Sequence, residues 1–526
     1  MALGSDSTHE GNGTEAGRRD FLRWLSLAGA GLGAGLAAGG ALPLIPAAQA
    51  RAAMRRGEVL VLNGATVIDG TGAPPRRDTT VVLVGDLIAW VGPRREVPLP
   101  AGARVVDARG RFVVPGLWDM HTHWTVLEKI VPPLCLANGV TGIREMWGYP
   151  EVRAVRERID RGELPGPRIV MASTIIDGPV TLLGPPAELV GTAAEARAAV
   201  RRAKEDGSDF IKIYSYLSRE CLEAVADEAR RVGLPFAGHH VYRMPVGEVS
   251  DAGMRSFEHL HGIPVPLSSR EAEFRAIMDG TPMDPADPRA FFKTMRELER
   301  QAAATYSPGK AARMFARWVR NGSWQSPTLT VNRVMSSPAD TFADDPRLKY
   351  IPRDLRPGWA SAVRVYAPST PEEIVRQRDF LRFRLDLVGA MDRAGVGLLA
   401  GTDCGNPYCF PGSGIHDELE LLVEAGLTPM RALRTVTRDA ARFLGREATM
   451  GTVARGKVAD LVILDADPLA DIRNVRRIDS VVTKGRLITR EERARMLAGV
   501  EAAAEEPVAS TLRSPALPAC GCLPAG

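Results

Sequence analysis

A series of short apolar segments, each ending in side chains that can bind a metal ion, constrains the fold of this chain most strongly. The first runs from Arg111 to Met120 and is followed by His121 and His123. Side chains two residues apart on a β-strand share a face, so both imidazoles can converge on one ion where the strand ends. Such strand ends are typical of an α/β barrel. For this pair alone, two ordinary loop histidines are an equal alternative.

Three further apolar segments end in side chains of the same kind. Each has the length of a single buried strand. Because a barrel places the carboxyl ends of all its strands at one face, we expect the side chains from these segments to meet. The end residues are His239 and His240 (after 233–238), His259 and His261 (after 253–258), and Asp403 (after 396–402).

A lysine lies inside another predicted strand. Lys212 is flanked by Ile211 and Ile213 in the segment Asp209–Tyr214, which reads as a buried strand. Burying an ammonium group costs on the order of several kcal/mol unless the group is paired, neutralised or modified. The position of Lys212 therefore needs a chemical reason.

In chain order the strand ends give His-x-His, Lys, His, His and Asp, and this ordered set is more specific than any of its members. It resembles the amidohydrolase superfamily, within it the imidazolonepropionase-like and prolidase-like subgroup. The resemblance covers roughly residues 58–490. Its most diagnostic stretches are Pro115–His123, Leu399–Asp403 and Gly451–Leu464.

The resemblance implies an α/β fold, a (β/α)8 TIM barrel with a small β-sandwich formed from both ends of the chain. It also implies two divalent metal ions, with zinc expected first and manganese, cobalt or iron left open. Lys212 would be N6-carboxylysine, a carbamate that bridges the two ions. The implied metal ligands are His121, His123, Lys212, His239, His259 and Asp403.

Five other residues near the strand ends are candidates for binding substrate. For the histidines, a structural or solvated role is an equal or nearly equal alternative. An aromatic side chain beside a strand end is more often a packing residue. The candidates are Tyr214, His240, Tyr242, His261 and His416.

The activity implied by the resemblance is metal-dependent hydrolysis of carbon–nitrogen bonds. A metal-bound hydroxide would attack an amide or cyclic amide, and Asp403 would transfer the proton. A dipeptidase or prolidase is favoured over an imidazolonepropionase, which more usually carries Glu at position 212. Alternatives are a lactonase or another C–O or C–N hydrolase, a metal-dependent cyclase or lyase on the same scaffold, and an exported binding protein.

Composition restricts the partners. The chain has 526 residues and a net charge of +4, without a long basic block, so nucleic acid is not an expected partner. We expect a small-molecule substrate, and assembly into a homo-oligomer is left open.

The first fifty residues predict a targeting segment. Arg18 and Arg19 match a twin-arginine export motif, and a mildly apolar run ends in Ala48-Gln-Ala50. The alternatives are a transmembrane anchor and a chance Arg-Arg pair. A cleaved signal implies contact with the twin-arginine export machinery and a secreted, periplasmic or cell-envelope protein.

The organisation of the chain follows from these assignments. One interval is too long, because His259 and Asp403 are 144 positions apart where two βα units need about 60 residues. Such a surplus usually shapes a pocket or a lid, with inert surface elaboration as the alternative. The predicted parts are a signal peptide (1–50), a composite β-sandwich (55–114 and 446–490), a barrel (115–445) with an insertion at about 265–380, and a C-terminal helix with a Pro/Ala-rich tail (491–526).

Local patterns predict further elements. Ser218 can cap a helix that ends at Gly233. Turns are predicted at Asn63-Gly64 and Asp69-Gly70. Other predicted strands are 139–144, 168–172 and 326–330, and other helices lie around 289–300 and 310–320.

Replacing Arg18 and Arg19 by lysine is expected to leave the precursor in the cytoplasm with its activity intact, because a twin-arginine substrate folds before transport. Cell fractionation followed by immunoblotting measures the distribution. Mature protein outside the cytoplasm at normal yield would rule out the twin-arginine route.

Overall fold

The structure is a computed structural model that describes residues 59–96 and 103–508. The predicted export signal, and the part of the predicted tail from residue 509 onward, lie outside these residues. Among the helices of the described ranges, none combines the length and the apolar character needed to cross a membrane.

Strands and helices are numbered here in chain order over the described residues. The strands are β1 (Val59–Val67), β2 (Arg76–Val84), β3 (Leu87–Pro93), β4 (Arg104–Asp107), β5 (Phe112–Pro115), β6 (Leu117–Thr122), β7 (Val140–Glu145), β8 (Arg168–Met171), β9 (Ile176–Asp177), β10 (Glu188–Leu189), β11 (Ile211–Ile213), β12 (Phe236–Gly238), β13 (Ser256–Glu258), β14 (Trp324–Ser326), β15 (Leu461–Leu464), β16 (Ile478–Thr483) and β17 (Arg486–Ile488).

The α-helices alternate with the strands through the middle of the chain. They are α1 (Val131–Ala137), α2 (Pro150–Asp160), α3 (Ala193–Glu205), α4 (Arg219–Val232), α5 (Val246–Asp251), α6 (Glu271–Gly280), α7 (Pro288–Ala303), α8 (Pro308–Asn321), α9 (Leu329–Met335), α10 (Arg356–Tyr366), α11 (Pro371–Arg393), α12 (Gly414–Glu424), α13 (Pro429–Thr435), α14 (Arg438–Phe443) and α15 (Arg490–Glu505). The fold is mixed α/β.

The first compact unit combines the described residues up to Leu117 with Ala440–Glu492. Its eight-stranded sheet has the order β17-β16-β15-β5-β1-β2-β3, with β4 paired to β1. β5 pairs in parallel with β1 and antiparallel with β15, so it joins the N-terminal strands to the C-terminal ones. Leu62, Val113 and Ile463 belong to one buried apolar cluster. Strands from both ends of the chain therefore share a core that neither end supplies alone.

The second compact unit contains Trp118–Asp439 and the described residues from Arg493 onward. β6, β7 and β8 form one sheet, and β10-β9-β11-β12-β13-β14 form another. The recorded pairings within the second sheet are parallel. Further backbone hydrogen bonds connect these sheets and the segment 398–403 at their edges. They run from Ser173 N to Phe210 O, from Leu399 N to Gln325 O, from Met120 N to Ala400 O and from Asp403 N to His121 O.

The helix that joins Lys212 to His239 is confirmed. α4 begins after Ser218, whose hydroxyl accepts a hydrogen bond from Cys221 N at 3.1 Å. It ends at Gly233, which has a left-handed φ of 71°. This βαβ unit places the carboxyl ends of β11 and β12 side by side.

Two local predictions are wrong because tertiary contacts override them. β1 does not turn at residues 63–64 but continues through a bulge between Leu62 and Ala65, with partners on both sides. The predicted strand 326–330 is instead the end of β14 followed by α9. That helix starts there because the Glu418 carboxylate accepts hydrogen bonds from two successive backbone N–H groups, those of Leu329 and Thr330.

The long interval after His259 is divided by β14. The helices α6, α7 and α8 precede this strand, and α9, α10 and α11 follow it. The predicted helices around 289–300 and 310–320 are confirmed as α7 and α8. The Pro/Asp-rich stretch contains two short 3-10 helices, Ala339–Phe342 and Pro346–Tyr350. The surplus chain is therefore mostly ordered helix.

Two glycines of the first unit offer a matched test of packing. Gly485 has a φ of 77°, and a Cβ there would lie 1.9 Å from the Gly85 carbonyl oxygen. Gly110 has a φ of 75°, and no atom lies within 4 Å of its Cβ position. Gly110→Ala is expected to lower the free energy of unfolding by about 1 kcal/mol through backbone strain alone. Gly485→Ala should cost at least about 2 kcal/mol more, since the overlapping atom is backbone. Urea unfolding curves measure both, and equal losses would contradict the predicted clash.

Candidate metal centre

The strand ends of the second unit deliver the predicted metal ligands to a buried site. β6 carries His121, with His123 just beyond it, and β11 carries Lys212. His239 and His259 follow β12 and β13 directly. His123 is 1% exposed, and the other five predicted ligands, including Asp403, are not exposed at all. Buried imidazole, carboxylate and amine groups at this density require mutual contacts or a bound ion.

Asp403 lies among three of these histidines. Its Oδ1 is 3.3 Å from His121 Nε2 and 3.2 Å from His123 Nε2. Its Oδ2 is 3.5 Å from His259 Nδ1. Ligand atoms of His121, His259 and Asp403 all lie within 4.8 Å of one another, so this group can hold a metal ion.

Ring contacts extend the cluster to two further histidines. The His239 ring lies 4.6 Å from the His259 ring, centroid to centroid. His261 lies 5.3 Å from His239 and 5.2 Å from His259. The structure therefore brings five imidazoles from three strand ends together.

Lys212 is close to this cluster and has an unusual environment. Its Nζ is buried and has no hydrogen-bond partner among the described residues. Its charge is near enough to Glu258 to contribute to the lowered pKa of that carboxyl group. A bare ammonium in this place is costly. A carbamate on Nζ would replace that cation by an anionic metal ligand, so the surroundings of Lys212 fit the modification.

The backbone at the ends of two of these segments is strained. His259, Leu260 and Asp403 have φ values of 64°, 62° and 56°, in the left-handed region that side chains other than glycine rarely adopt. A hydrogen bond from Asp403 N to His121 O at 2.8 Å helps to hold one of these turns. Strain of this kind persists only where the surrounding structure imposes it, and it concentrates at functional sites.

A buried network orients His121. Its Nδ1 lies 2.8 Å from Glu258 Oε2. Burial alone would raise the pKa of Glu258, but the Arg144 guanidinium and the His121 contact outweigh it and hold that pKa well below the usual value. Arg144 donates to both Glu258 oxygens, at 2.9 and 3.0 Å. Because the carboxylate only accepts, His121 carries a proton on Nδ1, and Nε2 is the nitrogen that faces Asp403.

Two more carboxyl groups stabilise β6 and the residues that follow it, and neither was predicted from the sequence to belong to the site. Asp119 accepts hydrogen bonds from Thr402 Oγ1 at 2.6 Å and from His121 N at 3.2 Å. Glu145 lies beside His123, with 3.7 Å between Oε1 and Nδ1. Burial is the main reason that the pKa of each carboxyl group rises to about 7. Asp119 and Glu145 lie within or at the end of predicted apolar strands, and a carboxylate in that position was the available signal.

The five candidate substrate-binding residues separate into two groups. Tyr214 stacks on His239 with a centroid distance of 4.0 Å, and His261 touches the cluster as described. The other three have partners elsewhere. Tyr242 donates to Glu299 at 3.2 Å, His240 packs edge-on against Tyr242, and His416 Nε2 lies 3.0 Å from the Asn138 carbonyl oxygen.

His240 is also electrostatically distinct from the predicted ligands. Its burial, and after it the charge of Arg275, lower the pKa of its imidazole to about 3. His240 is therefore a neutral, buried ring at neutral pH. Of the two neighbours, His239 is the one whose ring contacts His259.

Trp124 is a further residue near the candidate metal centre that was not predicted from the sequence. It follows His123, has a left-handed φ of 67°, and is 5% exposed. Its ring stacks on Trp359 of α10 at a centroid distance of 5.6 Å. A Cβ at Gly405 would lie only 3.1 Å from its indole nitrogen. Trp124 thus packs between the Asp403 turn and the long insertion.

The sequence of this chain is similar to those of known proteins over most of its length. The model of the amidohydrolase family matches residues 380–488. An imidazolonepropionase of Pseudomonas aeruginosa (strain LESB58) is 26% identical over 411 residues, which cover 75% of this chain and 89% of that protein. An imidazolonepropionase of Acinetobacter baumannii (strain ACICU) is 23% identical over 412 residues, with the same coverage of each chain.

Solved structures give similar relatives over most of the chain. A bottromycin amidohydrolase superposes with a TM-score of 0.67 at 25% identity, over 89% of this chain and 96% of that one. A prolidase-like protein of Bifidobacterium longum gives a TM-score of 0.59 at 25% identity, over 84% of this chain and 98% of that one. The chain is therefore similar to amidohydrolases over most of its length, with the family model itself matching its segment 380–488, and it is a hydrolase that acts on carbon–nitrogen bonds.

Proposed function

We propose that this protein is an exported, binuclear metal-dependent amidohydrolase that cleaves an amide or cyclic amide, in the manner of a dipeptidase or prolidase. The proposal rests on the surroundings of the Lys212 side chain. Its buried Nζ has no hydrogen-bond partner among the described residues, and its charge acts on Glu258, the carboxylate that contacts His121. Carboxylation of Lys212 removes the cost of the buried cation and supplies a bridging ligand for two ions.

The donor set fits two divalent ions, with zinc as the first expectation. The ions would be held by the six predicted ligands, His121, His123, the Lys212 carbamate, His239, His259 and Asp403. When bound, such ions activate water and polarise a scissile carbonyl. We also infer that β6, β7, β8, β11, β12, β13, β14 and the segment 398–403 form the predicted (β/α)8 barrel, and that the sheet of the first unit belongs to the predicted β-sandwich.

Asp403 is the proposed proton carrier. Its carboxylate is buried, lies within 3.5 Å of three imidazole nitrogens and is positioned by a strained backbone turn. It would accept a proton from the attacking water and return it to the leaving amine nitrogen. General acid–base transfer of this kind contributes on the order of 10²–10⁴-fold in rate.

Glu258 and Arg144 are proposed positioning residues. The Glu258 carboxylate fixes the His121 tautomer, and Arg144 keeps that carboxylate ionised in a buried place. Tyr214 and His261, which contact His239, are the better placed of the five candidates for a substrate contact. His240, Tyr242 and His416 have partners of their own and are assigned to the support of the site.

The similarity to imidazolonepropionases and to a prolidase-like protein supports an amide or cyclic amide as the substrate class. A lactonase or another C–O or C–N hydrolase needs the same ligands and is the alternative. A metal-dependent cyclase or lyase on the same scaffold is a further alternative. Export by the twin-arginine machinery, and hence a location outside the cytoplasm, rests on the sequence motif at Arg18 and Arg19.

Lys212→Ala is expected to lower the metal content from two ions per chain to one or none, and to remove most of the amidase activity. Added short carboxylic acids should restore part of both, because they can fill the vacated bridge. Elemental analysis of the purified protein and a kinetic assay with added formate or acetate measure the effect.

Lys310→Ala, which removes a lysine that pairs with Glu271 instead, is the control and should keep both ions. One ion per chain in the unaltered protein, beside an unmodified Lys212, would contradict the binuclear proposal.

Glu258→Gln is expected to weaken metal binding by about 10–100-fold, because the neutral amide no longer fixes the His121 tautomer. Titration with a chelator of known affinity measures the change. The control is Glu228→Gln, which alters a buried carboxylate of α4 that pairs with Arg201 of α3. This variant should leave the metal affinity unchanged. Equal affinities in the two variants would remove Glu258 from the positioning role.

A further inference from the structure

The insertion contains a cavity that no part of the proposed mechanism uses. It has a volume of about 180 Å³. Residues of α7, the end of α9 and α11 line it, and it shares Glu297, Arg300 and Phe380 with an outer groove of about 600 Å³. We call the inner space the cationic cavity. Its lining is Phe292, Lys293, Arg296, Glu297, Arg300, Met335, Ser336, Gln377, Phe380 and Arg384.

The lining has an excess of positive charge. Four cationic side chains line the cavity against one carboxylate, Glu297, which pairs with Arg300. A second carboxylate, Glu299, lies behind the wall, 2.8 Å from Arg296 and 3.8 Å from Arg384. Arg384 is only 1% exposed. Guanidinium groups held this deeply favour an anionic partner, and arginine is suited to bind a planar carboxylate.

A second, independent feature points to a ligand. Ser336 lines the cavity and is 6% exposed, yet its hydroxyl has no hydrogen-bond partner among the described residues. A buried hydroxyl without a partner is costly, because it has lost its hydrogen bonds to water. A bound carboxylate oxygen would accept its hydrogen bond.

The cationic cavity is close to the metal centre. Phe292 lines the cavity and packs edge-on against His261 at a centroid distance of 5.7 Å. His261 in turn contacts His239 and His259. The Phe292 ring therefore lies between the cavity and the histidine cluster, and an extended substrate would have to pass beside this ring to occupy both.

We propose that the cationic cavity binds a carboxylate of the substrate, on the part remote from the scissile amide. The inference rests on the proposed function and narrows its substrate class to acidic amides. Arg296, Arg384 and Ser336 would contact the carboxylate, and Lys293 and Arg300 at the outer side would attract it from solvent. This makes the helices of the insertion a specificity element.

The test compares two amides of one amine that differ only at the far end of the acyl chain: glutaryl, which ends in a carboxylate, and pentanoyl, which does not. The unaltered, metal-loaded enzyme is expected to prefer the glutaryl amide by at least about 10-fold in kcat/KM, the usual size for charge-assisted hydrogen bonds. Arg296→Gln should remove most of this preference and leave pentanoyl amide kinetics within about two-fold.

Two further variants separate binding from folding. Ser336→Ala breaks no ion pair and should lower kcat/KM for the glutaryl amide about 5-fold while sparing the pentanoyl amide. Arg289→Gln makes the same charge change on an exposed residue of α7 and should have no effect on either substrate. A preference that survives both Arg296→Gln and Ser336→Ala would overturn the proposal.

A direct binding measurement keeps this proposal distinct from the proposed function. Calorimetric titration of the metal-loaded protein with glutarate should show binding that Arg296→Gln weakens about 10-fold and Arg289→Gln does not change. Glutarate binding without hydrolysis of any amide would retain the cavity assignment and reject the amidase. Amide hydrolysis without glutarate binding, or tighter binding of inorganic phosphate than of glutarate to the same residues, would reject the carboxylate assignment.

Discussion

The Asp403 carboxylate lies within 3.5 Å of imidazole nitrogens from His121, His123 and His259, and none of these side chains is more than 1% exposed. A buried carboxylate needs positive or hydrogen-bonding partners, so Asp403 and the three histidines stabilise one another in this arrangement. The ends of β6, β13 and the segment 398–403 therefore converge around the Asp403 carboxylate. The positive φ of Asp403 and His259 is the conformational cost of that convergence.

The buried polar groups around the site also need partners. His121 needs Glu258 to fix its tautomer, Glu258 needs Arg144 to stay ionised, and Arg144 is itself buried on β7. Each group in this series would be costly alone and is stabilised by the next. The long insertion adds a different layer, since α7 and α11 carry a cationic cavity whose wall residue Phe292 touches His261. In our proposal, the strand ends supply the chemistry and the insertion supplies the specificity.

Much of this arrangement could be predicted from periodicity and residue type. α4 was predicted from Ser218 to Gly233, and α7 and α8 from their helical spacing, and all three are confirmed. The turn at residues 63–64 and the strand 326–330 were wrong. In both places a distant partner decides the conformation: strands on both sides of β1, and the Glu418 carboxylate 88 positions away from Thr330. Local sequence carries no trace of such partners.

The candidate metal ligands could be named without coordinates, because a histidine at the end of an apolar segment, or a lysine within one, is rare enough to be informative. Their partners could not. Glu258, Arg144, Asp119 and Glu145 acquire their roles only from contacts between strands far apart in sequence, and a carboxylate or arginine in an apolar segment does not reveal what it binds. The choice of His239 over His240 came from the family resemblance, and only the fold shows how the two rings differ: His239 contacts His259 while His240 packs against Tyr242, because neighbouring side chains at a strand end point in different directions.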